Sequence, residues 1–138
     1  MIVFIDTNIW IYAVDAGEPQ KQTAALAYIL QTEQAHTIAL SPQVMQEFFN
    51  ATTCKKEKLL NPEIALKHLA AMADFKVVES NAQSVLRAAS LMQEHKLSWW
   101  DSLILEAAIR AKADVLASED VQHGRKFGKL IVENPFIA

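Results

Sequence analysis

The sequence predicts an α/β fold, a three-layer α/β/α sandwich with a central, mainly parallel sheet. Short apolar runs recur at residues 2–5, 37–40, 115–117 and 130–132, the signature of strands covered on both faces. The stretches between them carry 3.6-residue periodicity, and several open on helix-starting pairs such as Ser41-Pro42 and Asn61-Pro62. Strands that alternate with helices pair in parallel, because each helix serves as the crossover.

Residues 2–5 stop at Asp6-Thr7-Asn8, so Asp6 is expected at a strand's carboxyl edge, where it feeds a helix over residues 9–14. A second helix is expected over residues 19–34 and a strand over 37–40. Ser41 as N-cap and Pro42 in the first turn then open a helix that runs to about residue 53. The polar residues 55–60 read as a loop and residues 62–73 as a helix, followed by a strand over 75–79. A helix over 82–95 leads to Ser98, which can cap a helix over 99–112. Strands at 115–117 and 130–132 complete the pattern. No linker, low-complexity tract or repeat divides residues 1–138, so a single domain is expected.

The 138 residues are 51% hydrophobic, enough for a sizeable core. With 13 basic and 16 acidic residues the net charge is −3, so any attraction for nucleic acid has to be local. Cys54 is the only cysteine, which excludes an internal disulfide, a thiolate zinc cage and a CxxC pair, and favours a reducing cytoplasm. The start of the chain lacks a basic n-region, and no run reaches the roughly 20 apolar residues of a membrane span. A soluble, cytoplasmic protein is expected.

Four acids occupy places that chemistry can use. Asp6 and Asp120 follow strands, at the edge where α/β sheets bind ligands. Glu47 borders the Val44, Phe48, Ala51 stripe of its helix, and Asp101 shares a face with Ile104, Leu105 and Ala108. Singly, each has a plain structural explanation: Glu47 as a surface residue, Asp101 as the returning partner of a Ser98 capping box, Asp6 and Asp120 as caps or turn formers. Together they suggest an oxygen-only site for Mg²⁺ or Mn²⁺, since clustered carboxylates are costly unless a cation joins them.

Other chemistries lack their residues. Gly17, Gly124 and Gly128 are the only glycines, so neither a P-loop nor a GxGxxG turn can be written. There is no GxSxG elbow, and His36, His68, His95 and His123 show no HExxH spacing. These histidines are expected at the surface.

Ile5-Asp6-Thr7-Asn8, the segment from Ser41 through Glu47 to Phe48, Trp100-Asp101-Ser102-Leu103-Ile104 and Ser118-Glu119-Asp120 occur in this order over nearly the whole chain. In these segments the sequence resembles the PIN-domain ribonucleases, and among them the VapC-like toxins of bacterial toxin–antitoxin pairs. The resemblance implies the same sandwich fold, with an acidic quartet of Asp6, Glu47, Asp101 and Asp120. Thr7, Asn8 and Ser118 match polar positions that support those acids. It further implies Mg²⁺- or Mn²⁺-dependent endonucleolytic hydrolysis of single-stranded or loop RNA, leaving a 5′-phosphate and a 3′-hydroxyl. A small antitoxin protein and a homodimer are implied as well.

RNA has to reach an acidic protein, and the segment around Arg125, Lys126 and Lys129 offers the first local attraction, with Phe127 as a stacking platform. The alternative is a solvated loop with Phe127 in the core. Lys55, Lys56 and Lys58 form a second basic loop. Between Glu119 and Asp120, the shorter Asp120 is expected to face the crevice and Glu119 the solvent. Three other functions stay open: an RNA-processing nuclease without a toxin role, a noncatalytic RNA- or protein-binding module, and a haloacid-dehalogenase-type phosphatase. The last needs D-x-D, and Asn8 stands at its second acid.

Overall fold

A computed structural model describes residues 1–137. Its one sheet has six strands in the order β3-β2-β1-β4-β6-β5. These are β1 (Ile2–Ile5), β2 (Thr37–Leu40), β3 (Lys76–Val77), β4 (Val115–Ala117), β5 (Lys126–Phe127) and β6 (Leu130–Glu133). The helices are α1 (Thr7–Tyr12), α2 (Pro19–Ala35), α3 (Pro42–Thr53), α4 (Pro62–Met72), α5 (Ala82–His95) and α6 (Trp99–Arg110). All pairings are parallel except β5 with β6. Successive Val3, Phe4 and Ile5 are all buried, so both faces of β1 are covered, as the sandwich requires. On the helical side, α1 packs against α2 and α3, α3 against α4, and α5 against α6.

The central strand β1 has β2 on one side and β4 on the other, both parallel to it. The chain thus leaves β1 in one direction across the sheet and later returns on its other side, which opens a crevice beyond the carboxyl ends. Asp6, Ser41 and Ser118, the residues directly after β1, β2 and β4, fall at that edge.

Several bounds differ from the sequence expectation for identifiable reasons. Helix α1 begins at Thr7 because the Asp6 side chain accepts from the Thr7 N–H at 2.7 Å, and it ends at Tyr12. Strand β3 is two residues long: the Phe75 N–H is already used to close the end of α4 on the Met72 carbonyl, 3.2 Å away. Helix α6 stops at Arg110, and Lys112 takes a left-handed φ of 59°. Strand β5 was not expected. No helix of the described residues is long and apolar enough to cross a membrane.

Candidate active site

Asp6 is the buried centre of the crevice, only 6% exposed. One carboxylate oxygen accepts the Thr7 N–H at 2.7 Å and the other accepts the Ser118 hydroxyl at 2.8 Å. The backbone is pinned as well, with the Asp6 N–H donating to the Ala117 carbonyl at 2.9 Å. Burial pushes the carboxyl up to about 7 despite those two bonds, and the charges of Asp120 and Asp101 push in the same direction. An isolated cap would have no charged neighbours of its own sign.

Asp120 lies across the crevice, held by two residues that also flank Asp6. The Asn8 amide donates to its carboxylate at 3.1 Å, and its own N–H donates to the Ser118 hydroxyl oxygen at 3.2 Å. Ser118 therefore ties the two acids together, donating to one and accepting from the other. Although exposed by area, Asp120 is raised in pKa, first by desolvation and then by Asp101, Glu119 and Glu47, with Lys21 opposing. Asn8 acts here as a donor to a carboxylate, a role that an ionised acid at this position could not fill.

Glu119 does not face solvent as expected. Its carboxylate pairs with Lys21 at 3.0 Å and its side chain is 18% exposed. The same ammonium donates to the Tyr12 hydroxyl at 3.1 Å. Glu119 is thus committed to a cation, whereas Asp120 is held only by neutral groups, which keeps Asp120 available to a ligand.

Glu47 projects from α3 and is exposed, while its neighbours Val44 and Phe48 on the stripe are buried. The Gln43 amide, one turn earlier, donates to it at 2.8 Å. For Asp101, half of the capping box is present: the Ser98 hydroxyl oxygen accepts the Asp101 N–H at 3.1 Å. The return bond is missing, since among the described residues the Asp101 carboxylate accepts none. Its charge reaches both Asp6 and Asp120.

Among the described residues, no three His, Cys, Asp or Glu side chains stand close enough to hold a metal ion. The acids share an electrostatic neighbourhood rather than a closed ligand cage. Their chemistry nevertheless fits a hard divalent cation, because every donor is oxygen and their mutual repulsion is what such a cation relieves. Two buried hydroxyls add to the fit: the Thr7 Oγ1 and Ser41 Oγ atoms lack hydrogen-bond partners among the described residues. Buried polar groups seldom go without a partner. Ser41 is placed as an N-cap by the sequence, but its side chain makes no capping bond. Carried two residues beyond Phe4↔Ala39, the parallel register sets it beside Asp6.

The basic segment after Asp120 is largely used by the fold. Phe127 is 8% exposed and packs edge-on against His95, so it belongs to the core and offers RNA no stacking platform. Arg125 lies over the Phe127 ring and donates to the His95 carbonyl at 2.9 Å. Lys126 and Lys129 are exposed. His68 and His95 are half-buried, against Phe48 and Phe127 respectively, rather than at the surface as expected. One further acid, Glu106, is 4% exposed and paired with Arg87 and Arg110. Its helical spacing from Arg110, i and i+4, was a legible sign of this structural ion pair.

The family model for the PIN domain matches residues 3–127. The chain belongs to the PIN domain family. Solved structures similar to it include VapBC2 from Rickettsia felis bound to a DNA fragment from the promoter. That match has 21% identity and a TM-score of 0.68, and covers 97% of this chain and 98% of that one. The DNA-bound VapBC of Salmonella typhimurium is similar at 15% identity and a TM-score of 0.65, with 98% of each chain covered. VapC20 of Mycobacterium tuberculosis, a toxin that cleaves the sarcin-ricin loop, matches at 16% identity and a TM-score of 0.63, covering 83% of this chain and 86% of that one. No curated protein matches the sequence.

Proposed function

We propose that this chain is a Mg²⁺- or Mn²⁺-dependent endoribonuclease that hydrolyses phosphodiester bonds in single-stranded or loop RNA. We further propose that it is the toxin of a toxin–antitoxin pair, held in check by a small antitoxin protein and acting in the cytoplasm as a homodimer. The observation that carries the nuclease reading is the buried Asp6, with its carboxyl pushed up to about 7 at the sheet's carboxyl edge, beside the charges of Asp120 and Asp101. Similarity to VapBC structures supports the toxin and antitoxin roles.

In this reading Asp6, Glu47, Asp101 and Asp120 hold the cation. When bound, the ion would lower the pKa of a water and offset charge on the attacked phosphate. Ser118 and the Thr7 N–H fix the Asp6 carboxylate, and Asn8 fixes that of Asp120, so neither has to be ordered when substrate arrives. No histidine or lysine is needed as a base.

Expression of the chain alone in a bacterium is expected to arrest growth, and co-expression of the small protein encoded beside it should relieve the arrest. The Asp6→Asn variant should be harmless at equal expression. Equal toxicity of that variant would separate the arrest from nuclease chemistry.

A further inference from the structure

We propose that a pocket between α1 and the α3–α4 loop is a nucleotide subsite, which takes an RNA nucleotide flanking the cleaved bond and grips its phosphates with Lys55 and Lys56. This rests on the ribonuclease reading above and names how substrate would be held. The pocket measures about 480 Å³ and is lined by Asn8, Ile11, Asp15, Lys55, Lys56 and Glu57 among others. Its volume lies within the range of small-molecule pockets. Asn8 places it against the acids, because the same side chain that lines the pocket donates to Asp120 at 3.1 Å.

The cations of this loop are available, as Lys126 and Lys129 are, while several others are committed. Lys21 pairs with Glu119, Arg87 and Arg110 with Glu106, and Arg125 with the His95 carbonyl and the Phe127 ring. Among the described residues Lys55 and Lys56 make no ion pair and are exposed. The loop is also held in place: the Leu59 and Leu60 N–H groups both donate to the Thr52 carbonyl, each at 3.1 Å. On a protein of net charge −3, with acids gathered at the crevice, such a pair supplies the local attraction that a polyanion needs.

The rest of the lining favours a nucleotide over a bare phosphate. Ile11 offers an apolar wall for a base, and Glu57 and the Asp15 oxygen not taken by the Gly17 N–H (2.9 Å to Oδ1) add acceptors to the lining. The two carboxylates of the lining weaken the hold of the ammoniums on a single free anion. The lysines therefore act on the phosphodiester backbone of a longer strand, and the acceptors bias which base sits between them.

The test measures binding separately from cleavage. In an Asp6→Asn background with EDTA, a short fluorescein-labelled single-stranded RNA is titrated against the chain with and without Lys55→Ala/Lys56→Ala. The double substitution should weaken binding at least tenfold and reduce the slope of log affinity against log salt by ~1.4, the loss of two single-strand phosphate contacts. Lys67→Ala on the outer face of α4 should change neither. With Asp6 intact and Mn²⁺ present, the double variant should raise KM with little change in kcat. Unaltered RNA affinity would overturn the subsite, as would a loss of antitoxin binding with RNA binding intact, which would give the loop to a protein partner. If no divalent ion supports cleavage and the binding loss remains, the pocket stands as an RNA-binding site and the nuclease reading falls.

Discussion

Asp101→Asn is expected to reduce RNA cleavage by at least ~100-fold, about 2.7 kcal/mol of transition-state stabilisation, while the protein stays folded. The start of α6 explains why the fold survives. The bond that caps it runs from the Asp101 backbone N–H to the Ser98 hydroxyl oxygen, and an asparagine retains that N–H. What the substitution removes is the charge, which presses on Asp6 and Asp120 and which a cation would use. If Asp101 served the helix alone, cleavage would persist and the loss would be the favourable charge at the start of α6, about 0.3–1 kcal/mol of stability. Single-turnover cleavage beside a thermal melt, both with Mn²⁺, separates the two outcomes.

Asp6→Asn should stabilise the protein in EDTA, and the gain should depend on pH in a definite direction. Below the unfolded value near 3.8 the carboxyl is protonated in both states and contributes nothing. As pH rises from there toward about 7, the unfolded chain gives up its proton while the folded one keeps it, so stability falls. Above both values the full cost is present, at most about 4 kcal/mol. Asparagine removes that cost, so its melting temperature should exceed that of wild type by roughly 5–10 °C near pH 8 and by little near pH 4. Mg²⁺ should narrow the gap by binding wild type alone, with a gain of roughly 2.7 kcal/mol at a free concentration of 100 times Kd. Identical melts under all conditions would mean that Asp6 carries no buried charge.

Much of this site was legible because its parts are tied to secondary structure. An apolar run ending in Asp-Thr-Asn fixes Asp6 at a strand's edge whatever the rest of the chain does, and the helical stripes place Glu47 and Asp101 to within a face. What escaped detection depends on contacts between distant segments. Phe127 faces the core because β5 turns back antiparallel onto β6, and two residues carry too little periodicity to announce a strand. Glu119 is drawn from solvent by Lys21, 98 positions away, a pairing that no local pattern encodes. Ser41 reads as a helix cap in sequence, and only the register of β2 against β1, carried two residues on, sets it beside Asp6. The two basic loops were indistinguishable by composition. They differ in that Arg125 is used by the fold, whereas Lys55 and Lys56, like Lys126 and Lys129, are exposed and make no ion pair among the described residues.

We propose that Asp6, Glu47, Asp101 and Asp120, from four separate elements, together bind divalent metal, and calorimetric titration of Mn²⁺ near pH 8 tests this most directly. Saturable binding is expected for wild type, and at least a ~10-fold weaker Kd, about 1.4 kcal/mol, for each of Asp6→Asn, Glu47→Gln, Asp101→Asn and Asp120→Asn. Glu119→Gln, whose carboxylate belongs to Lys21, should bind like wild type. Uptake of Mn²⁺ that is unchanged by the four substitutions, or weakened by Glu119→Gln alone, would contradict it.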